Sequence, residues 1–182
     1  MSKATTGLTV DERAQRIRLL LFDVDGVLTD GVIVMHADGS ESKGFHIRDG
    51  AAIVWAQRAG VPVGLLSARA SGATTHRAAQ LAIRIVQQGV TSKLSAFEQI
   101  LKSSGLAEEA VSYMGDDLLD LPVLDRAGLA AAPADAAREV RQAVHWVSAA
   151  RGGRGAVREL IELVLRAQGR WDGIVAEQSG RQ

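Results

Sequence analysis

Read for hydrophobic and polar positions, the chain is a series of short apolar runs separated by amphipathic stretches. Residues 17–22 are apolar apart from Arg18 and stop abruptly at Asp23. So continuous a run, without polar alternation, predicts a strand buried on both faces at the centre of a parallel sheet. Similar runs recur at residues 61–66, 83–86, 111–114 and 129–132, with a shorter one at 145–147. Between them the period changes to that of a helix. Ala51, Val54, Trp55 and Ala59 form a stripe in 49–59 closed by Gly60 and Pro62, and Leu94, Phe97, Ile100 and Leu101 form another in 93–104. Helices are expected near 72–81 and 134–143, and Val157, Leu160, Ile161, Val164 and Leu165 give 155–167 an amphipathic spacing close to ideal. Ahead of the first strand, Thr9 with Glu12 three residues on predicts a capped helix over 9–16.

Strands alternating with helices predict an α/β fold: a doubly wound, Rossmann-like parallel sheet with helices on both faces. One insertion interrupts it. Asp38-Gly39, between residues 31–36 and 41–46, signals a small β-hairpin after the first strand, spanning about 31–46. Residues 32–35, Val-Ile-Val-Met, are more apolar than an isolated hairpin tolerates, which predicts that they pack on something, a second subunit being one choice. The tail from Gly169 to residue 182 has Trp171, Ile174 and Val175 among polar residues without clear periodicity; it is either loose or folded onto a neighbour. With no internal repeat or long linker, the 182 residues read as one domain, 1–182.

Composition narrows the function. Lys+Arg and Asp+Glu both number 21, so no bulk field attracts nucleic acid or a membrane surface, and an anionic ligand must be captured locally. The absence of cysteine excludes disulfides, thiolate nucleophiles and zinc–cysteine sites. His36, His46, His76 and His145 lack zinc spacing. Residues 1–16 are polar and no window has the roughly 18 apolar residues of a membrane span, so a soluble cytoplasmic protein is expected.

The chemistry sits where strands end. The first delivers Asp23 and Asp25, followed by Gly26; the strand ending at Leu66 delivers Ser67; Lys93 opens a helix; and the strand ending at Met114 delivers Asp116 and Asp117. In a doubly wound sheet these ends converge on one crevice. Carboxylates held that close repel unless one is protonated or a cation is shared, and Mg²⁺ suits one or two carboxylates plus phosphate oxygens. A calcium loop counted from Asp23 fails, because its fifth, sixth and twelfth positions hold Val27, Leu28 and Val34. Acids, a hydroxyl and an ammonium together suit metal-assisted phosphoryl transfer through an aspartyl-phosphate.

The pattern Asp23-x-Asp25-Gly-Val-Leu-Thr, with Ser67, Lys93 and Gly115-Asp-Asp-x-x-Asp120, resembles the haloacid dehalogenase superfamily of phosphatases. Within it the chain is similar to the capless group containing 3-deoxy-D-manno-octulosonate 8-phosphate phosphatases of lipopolysaccharide sugar synthesis. The likeness extends through Phe45-His-Ile-Arg-Asp-Gly50, Gly89-x-x-x-Lys93 and the Gly152-Gly-Arg-Gly-Ala-Val-Arg-Glu159 stretch. The resemblance implies Asp23 as nucleophile and Asp25 as acid/base. It implies Mg²⁺ held by Asp23, Asp116 and the backbone carbonyl of Asp25, with phosphate bound by Ser67 and Lys93. Substrate contacts are implied for Asp25, His46, Ile47, Arg48, Asp49, Gly50, Arg69, Arg77 and Lys93. It also implies a homotetramer, built by the hairpin, in which a neighbouring subunit covers the site.

The second motif departs from the family's usual Thr-Gly-Arg and reads Ser67-Ala68-Arg69, keeping the hydroxyl but losing a permissive glycine. Phosphatases of nine-carbon keto-sugar acids are also similar but tend to carry Glu where Arg69 stands, so Arg69 favours the eight-carbon substrate. Plainer roles remain for several residues: Lys93 as a solvated first-turn side chain, the arginines as surface ion-pair partners, and Gly152–Gly155 as either an anion nest or a simple loop. A receiver domain would carry an adjacent acidic pair on its first strand and an Asp on the middle one, where Ser67 stands here. A non-catalytic scaffold is the other alternative.

Overall fold

The computed structural model describes residues 7–180. Residues 1–6 and 181–182, the ends of the expected polar start and tail, lie outside the described residues.

Helix α1 (Val10–Arg16) opens with the expected capping box, Glu12 N donating to Thr9 Oγ1 at 3.2 Å and Thr9 N to Glu12 Oε2 at 2.7 Å. Strand β1 (Leu19–Phe22) follows, then a hairpin of β2 (Val34–Met35) and β3 (Glu41–Ser42), paired antiparallel and turning through Gly39 at φ +84°. The alternation continues with α2 (Ile47–Arg58), β4 (Val63–Leu66), α3 (Gly72–Gln80), β5 (Ile85–Gln87), α4 (Lys93–Ser104) and β6 (Val111–Met114). A 3-10 turn, Leu118–Asp120, leads into α5 (Leu121–Leu124), followed by β7 (Leu129–Ala132), α6 (Arg138–Ala143), β8 (Trp146–Val147), α7 (Ala156–Ala167) and α8 (Trp171–Gln178).

Six strands make one parallel sheet in the order β5–β4–β1–β6–β7–β8. β1 lies between β4 and β6, so the strand order reverses across it, and a crevice opens at the carboxyl ends there. The apolar run that makes β1 serves two cores. Leu20 and Phe22 pack with α1, α2 and α7 on one face, while Leu19 and Leu21 pack with α4, α5 and α6 on the other. A strand covered on both faces has no position for a polar side chain, hence the missing alternation.

Three elements differ from the sequence reading. β5 begins at Ile85 rather than at residue 83, because Leu81 N and Ile83 N still bond to Arg77 and Ala78 carbonyls, with Ala82 at φ +54° closing α3. α6 begins at Arg138 rather than near 134. Ala134 N instead donates to Ala150 O, and the Asp135 carboxylate accepts from Gly152 N, so these residues tie down the loop before α7. The tail is not loose: Trp171–Gln178 form a helix packed on its own chain. Trp171 is 5% exposed, edge-on to Trp55 with ring centroids 5.9 Å apart, and Arg158 and Arg166 lie over its ring at 5.6 and 5.2 Å. Gly173 and the charged residues between its apolar positions hide the helical period.

Trp171 is therefore the anchor of α8. Trp171→Ala should cost about 3 kcal/mol of unfolding free energy, as large-to-small changes at buried aromatics do. The check is urea denaturation: a loss below about 1 kcal/mol would mean that α8 does not depend on this contact.

Candidate active site

The acidic loop begins where the β1 ladder ends. Asp23 N donates to Met114 O at 3.0 Å, extending the pairing with β6 by one residue, and Val24 O then accepts from Val27, Leu28 and Thr29, which turns the chain back sharply. Gly26 sits at φ +89° directly against the Asp116 carboxylate, where any Cβ would overlap it. From below, Gly152 and Gly153 press on the same loop. A Cβ on Gly152 would overlap Gly26 O, and Gly153 N donates to Val27 O at 2.9 Å.

The Gly152–Gly155 run is thus a buttress for the acidic loop, and the anion at the start of α7 comes from within the chain. The Asp49 carboxylate accepts from Arg158 N at 2.9 Å and Gly155 N at 3.3 Å. Burial pushes the Asp49 carboxyl up, opposed by those two backbone donors and by His46.

The strand ends form a crevice of about 210 Å³ whose walls include Asp23, Asp25, Ser67, Lys93 and Asp116, together with Arg69 and Leu119 at the mouth. A wider groove of about 750 Å³ lies elsewhere, between α2 and α3, but no carboxylate lines it. In the crevice, Lys93 is the hub. Its Nζ lies 2.6 Å from Asp120 Oδ1, 3.0 Å from Asp23 Oδ2 and 3.4 Å from the Tyr113 hydroxyl, and its side chain is 6% exposed. Ser92 caps α4 through Ser95 N, so Lys93 starts the helix and projects inward rather than into solvent. Burial pulls the Lys93 ammonium down, but Asp23 and Asp120 together outweigh it and leave the pKa above its ordinary value.

Asp120 is the residue whose role the motif alone did not disclose. Its Oδ1 takes Lys93 and, at 2.5 Å, the Tyr113 hydroxyl, while Oδ2 takes the amides of Asp116 and Asp117 at 2.9 and 3.1 Å. Fully engaged, it orients Lys93 and the 116–117 turn. The available signals were the Tyr113 hydroxyl on a buried strand and the three-residue Asp117–Asp120 capping spacing.

Asp23 and Asp116 remain for a cation. Asp23, Asp116 and Asp120 each present an oxygen within 4.8 Å of the others. Burial, aided by Asp120 and opposed by Lys93, pushes Asp23 up to about 6. Burial with Asp23 and Asp120 pushes Asp116 up to about 8. Asp116 Oδ1 is buried without a hydrogen-bond partner. Too much negative charge for one ammonium, with an unpartnered buried carboxylate oxygen, is the environment of a hard divalent cation.

The Asp25 carboxylate faces another way, towards Lys43 Nζ at 2.7 Å and, at 3.7 Å, Arg69 Nε. Lys43 and its neighbour Glu41, which accepts from Arg69 Nη2 at 3.0 Å, were not singled out from sequence. Their signal is faint: charges at alternate positions of a hairpin strand share a face. Other sequence candidates lie off the crevice walls. His46 and Arg48 line a separate hollow of about 450 Å³ with Arg154 and Arg158, and Ile47 is 77% exposed. Asp49 caps α7, Gly50 packs on the Arg77 guanidinium, and Arg77 itself bonds Gln80 at 3.3 Å over the Phe45 ring.

Known proteins are similar to this chain in sequence and fold. A family model described as haloacid dehalogenase-like hydrolase matches residues 64–160. The 3-deoxy-D-manno-octulosonate 8-phosphate phosphatase of Escherichia coli K12 is 43% identical over 160 residues, covering 88% of this chain and 85% of its own. The crystal structure of the Yersinia pestis phosphatase of that name superposes with a TM-score of 0.89 at 41% identity, covering 90% of this chain and 89% of that one. The Moraxella catarrhalis one, solved with a magnesium ion, a phosphate ion and a KDO molecule, has a TM-score of 0.90 at 33% identity over 92% of this chain and 97% of that one. With a family model matched across the part of the fold that carries Ser67, Lys93 and Asp116, and a relative 43% identical along most of the chain, this protein belongs to the haloacid dehalogenase-like hydrolase family.

Proposed function

We propose that the protein is a Mg²⁺-dependent phosphatase that hydrolyses 3-deoxy-D-manno-octulosonate 8-phosphate to the free sugar acid and phosphate, in lipopolysaccharide biosynthesis. The observation that carries the chemistry is Asp23 held 3.0 Å from Lys93 in a buried crevice beside Asp116, whose carboxylate oxygen lacks a partner. The substrate rests on the relatives' names and on Arg69, a half-exposed guanidinium at the mouth able to grip a carboxylate bidentately.

In this reading Asp23 attacks phosphorus, forming an aspartyl-phosphate as the bond to the sugar oxygen breaks. Asp25 gives its proton to that oxygen; as a carboxylate it then takes a proton from the water that attacks the aspartyl-phosphate, which restores Asp23 and frees phosphate. Lys93 and the Ser67 hydroxyl hold the phosphoryl oxygens, and Asp120 keeps Lys93 aimed at them. Asp23, Asp116 and the Asp25 backbone carbonyl hold Mg²⁺, which when bound lets both carboxylates stay ionised and offsets charge on the phosphate.

The rest of the reading concerns assembly and place. One domain spans the chain, and four copies associate through the hairpin, a proposal supported by Val32, Val34 and Met35, which stand more than half exposed on it. Residues 46–50 and Arg77 contribute to substrate binding once the neighbouring copy is in place. No helix among the described residues is long and apolar enough to cross a membrane, and a cytoplasmic location is part of the proposal.

Phosphate release should be measured from the eight-carbon acid phosphate, its nine-carbon analogue and simple sugar phosphates. Release that needs Mg²⁺, stops with chelator and favours the eight-carbon acid is expected; release without that preference would leave the phosphatase and remove the substrate. Asp23→Asn should lower kcat by at least about 10⁴-fold with the fold and assembly intact, and appreciable residual turnover would remove Asp23 as nucleophile.

Metal binding should be proton-linked. Asp23 and Asp116 have folded pKa values raised above the ordinary carboxylate value, so the metal-free fold holds protons more tightly than the unfolded chain. Its stability therefore falls as pH rises from about 4 towards about 8, while Mg²⁺ must displace the same protons. Between about 6 and 8, affinity should weaken about tenfold per unit fall in pH, the linkage for one displaced proton. Melting temperatures with Mg²⁺ and with chelator test this; an equal metal-induced shift at both ends of the range would refute it.

A further inference from the structure

The hairpin does more than stand outside the crevice. From β3 and the residue beyond it, Glu41 and Lys43 reach the crevice mouth from one face of the strand. Lys43 Nζ lies 2.7 and 2.9 Å from the two Asp25 oxygens, and its side chain is fully enclosed. Glu41 Oε2 accepts from Arg69 Nη2 at 3.0 Å; Arg69 Nε lies 3.7 Å from Asp25 Oδ2, and Lys43 Nζ 3.9 Å from Glu41 Oε1. The four groups form a closed ring in which two cationic side chains alternate with two carboxyl groups. Only Arg69, with a side chain 52% exposed, faces the open mouth.

The guanidinium that a sugar acid would meet first already holds a carboxylate of its own chain. Glu41 and Asp25 between them cover its Nε–Nη2 edge, one of the edges that can grip a carboxylate with two parallel hydrogen bonds. A second carboxylate can take that edge only if Glu41 leaves, since two anions on it would repel. The Ser71 hydroxyl, with Lys43 and Arg69, holds the Glu41 carboxyl below its ordinary value, so the resident group is an anion like the one it would yield to.

We propose that Glu41 is an internal stand-in for the substrate carboxylate, seated on Arg69 in the free protein and displaced when a keto-sugar acid binds. Lys43, anchored on Asp25, keeps the strand docked during the exchange. A neutral sugar phosphate brings no anion to trade for Glu41 and meets the mouth still latched. Glu41 thereby costs some affinity for every acid and none for a phosphate that lacks a carboxylate. The proposal rests on the reading that Arg69 receives the substrate carboxylate.

Steady-state kinetics of Glu41→Gln test it, with 3-deoxy-D-manno-octulosonate 8-phosphate and p-nitrophenyl phosphate, which lacks a carboxylate. The expected result is a KM for the acid about two- to fivefold lower, the range for one partly exposed ion pair, with kcat unchanged. The KM for p-nitrophenyl phosphate should not follow. In an Arg69→Ala background the Glu41→Gln effect on the acid should vanish, since the two act through one contact. An unchanged or higher KM for the acid would mean that Glu41 orients Arg69 rather than competing for it, and an equal shift with both substrates would mean that it does not act through the carboxylate; either overturns the stand-in. Wild-type protein that turns over both substrates but shows no preference for the acid overturns the substrate reading and the stand-in with it. A preference for the acid in wild type with no fall in KM in the variant overturns the stand-in alone.

Discussion

Everything around the crevice follows from one electrostatic problem: Asp23, Asp116 and Asp120 each hold an oxygen within 4.8 Å of the others, with Lys93 set among them as the one cation of the described residues paired to Asp23 and Asp120. Burial and mutual repulsion push Asp23 to about 6 and Asp116 to about 8, so the apoprotein holds protons there that an exposed carboxyl would lose. Such a cluster is unfavourable to fold, and the chain tolerates it only because Asp120 is satisfied by four donors. The remaining negative charge is what suits the site to a divalent cation, and that cation with Lys93 is what would offset the charge of a phosphate. Folding and chemistry meet in the same charges.

Holding those charges in place occupies the rest of the molecule. The two-sided core around β1 fixes the strand that delivers Asp23 and Asp25, and pairing with β6 sets the height of Asp116 relative to Asp23. The loop between them has no regular structure to stiffen it, so glycines without side chains let neighbouring backbone press against it. Gly152 and Gly153 come from the start of α7, whose N-terminal amides are in turn closed by Asp49 of α2. The Asp49 carboxylate is thereby a strut in the fold.

The parts that depend on local pattern were legible in the sequence. Strand ends follow from where apolar runs stop, and a doubly wound sheet carries those ends to one place, so Asp23, Asp25, Ser67, Lys93 and Asp116 meet as the sequence implied. What depends on tertiary fold-back was not legible. Nothing local tells that Lys43 and Glu41 turn inward onto Asp25 and Arg69, since hairpin charges are usually solvated, nor that Asp49 caps α7 and Gly50 packs on Arg77 of α3. Helix α8 was hidden for a different reason: its single buried anchor, Trp171, leaves no stripe to read.

The size of the crevice bears on how a chain without a cap domain works. About 210 Å³ is below the roughly 300 Å³ at which pockets enclose small ligands, enough for a phosphoryl group and the carbon that bears it. An eight-carbon acid would project past Arg69, where Leu118 and Leu119 stand more than half exposed and the hairpin offers Val32, Val34 and Met35. Apolar side chains of that size rarely face water in a group around a polar cleft unless another surface covers them. In the proposed mechanism water must also be kept from the aspartyl-phosphate until the sugar has left, a demand that a shallow crevice meets only when something lies over its mouth. A second copy laid over the mouth, as proposed above, would cover the leucines and add to the wall in one step.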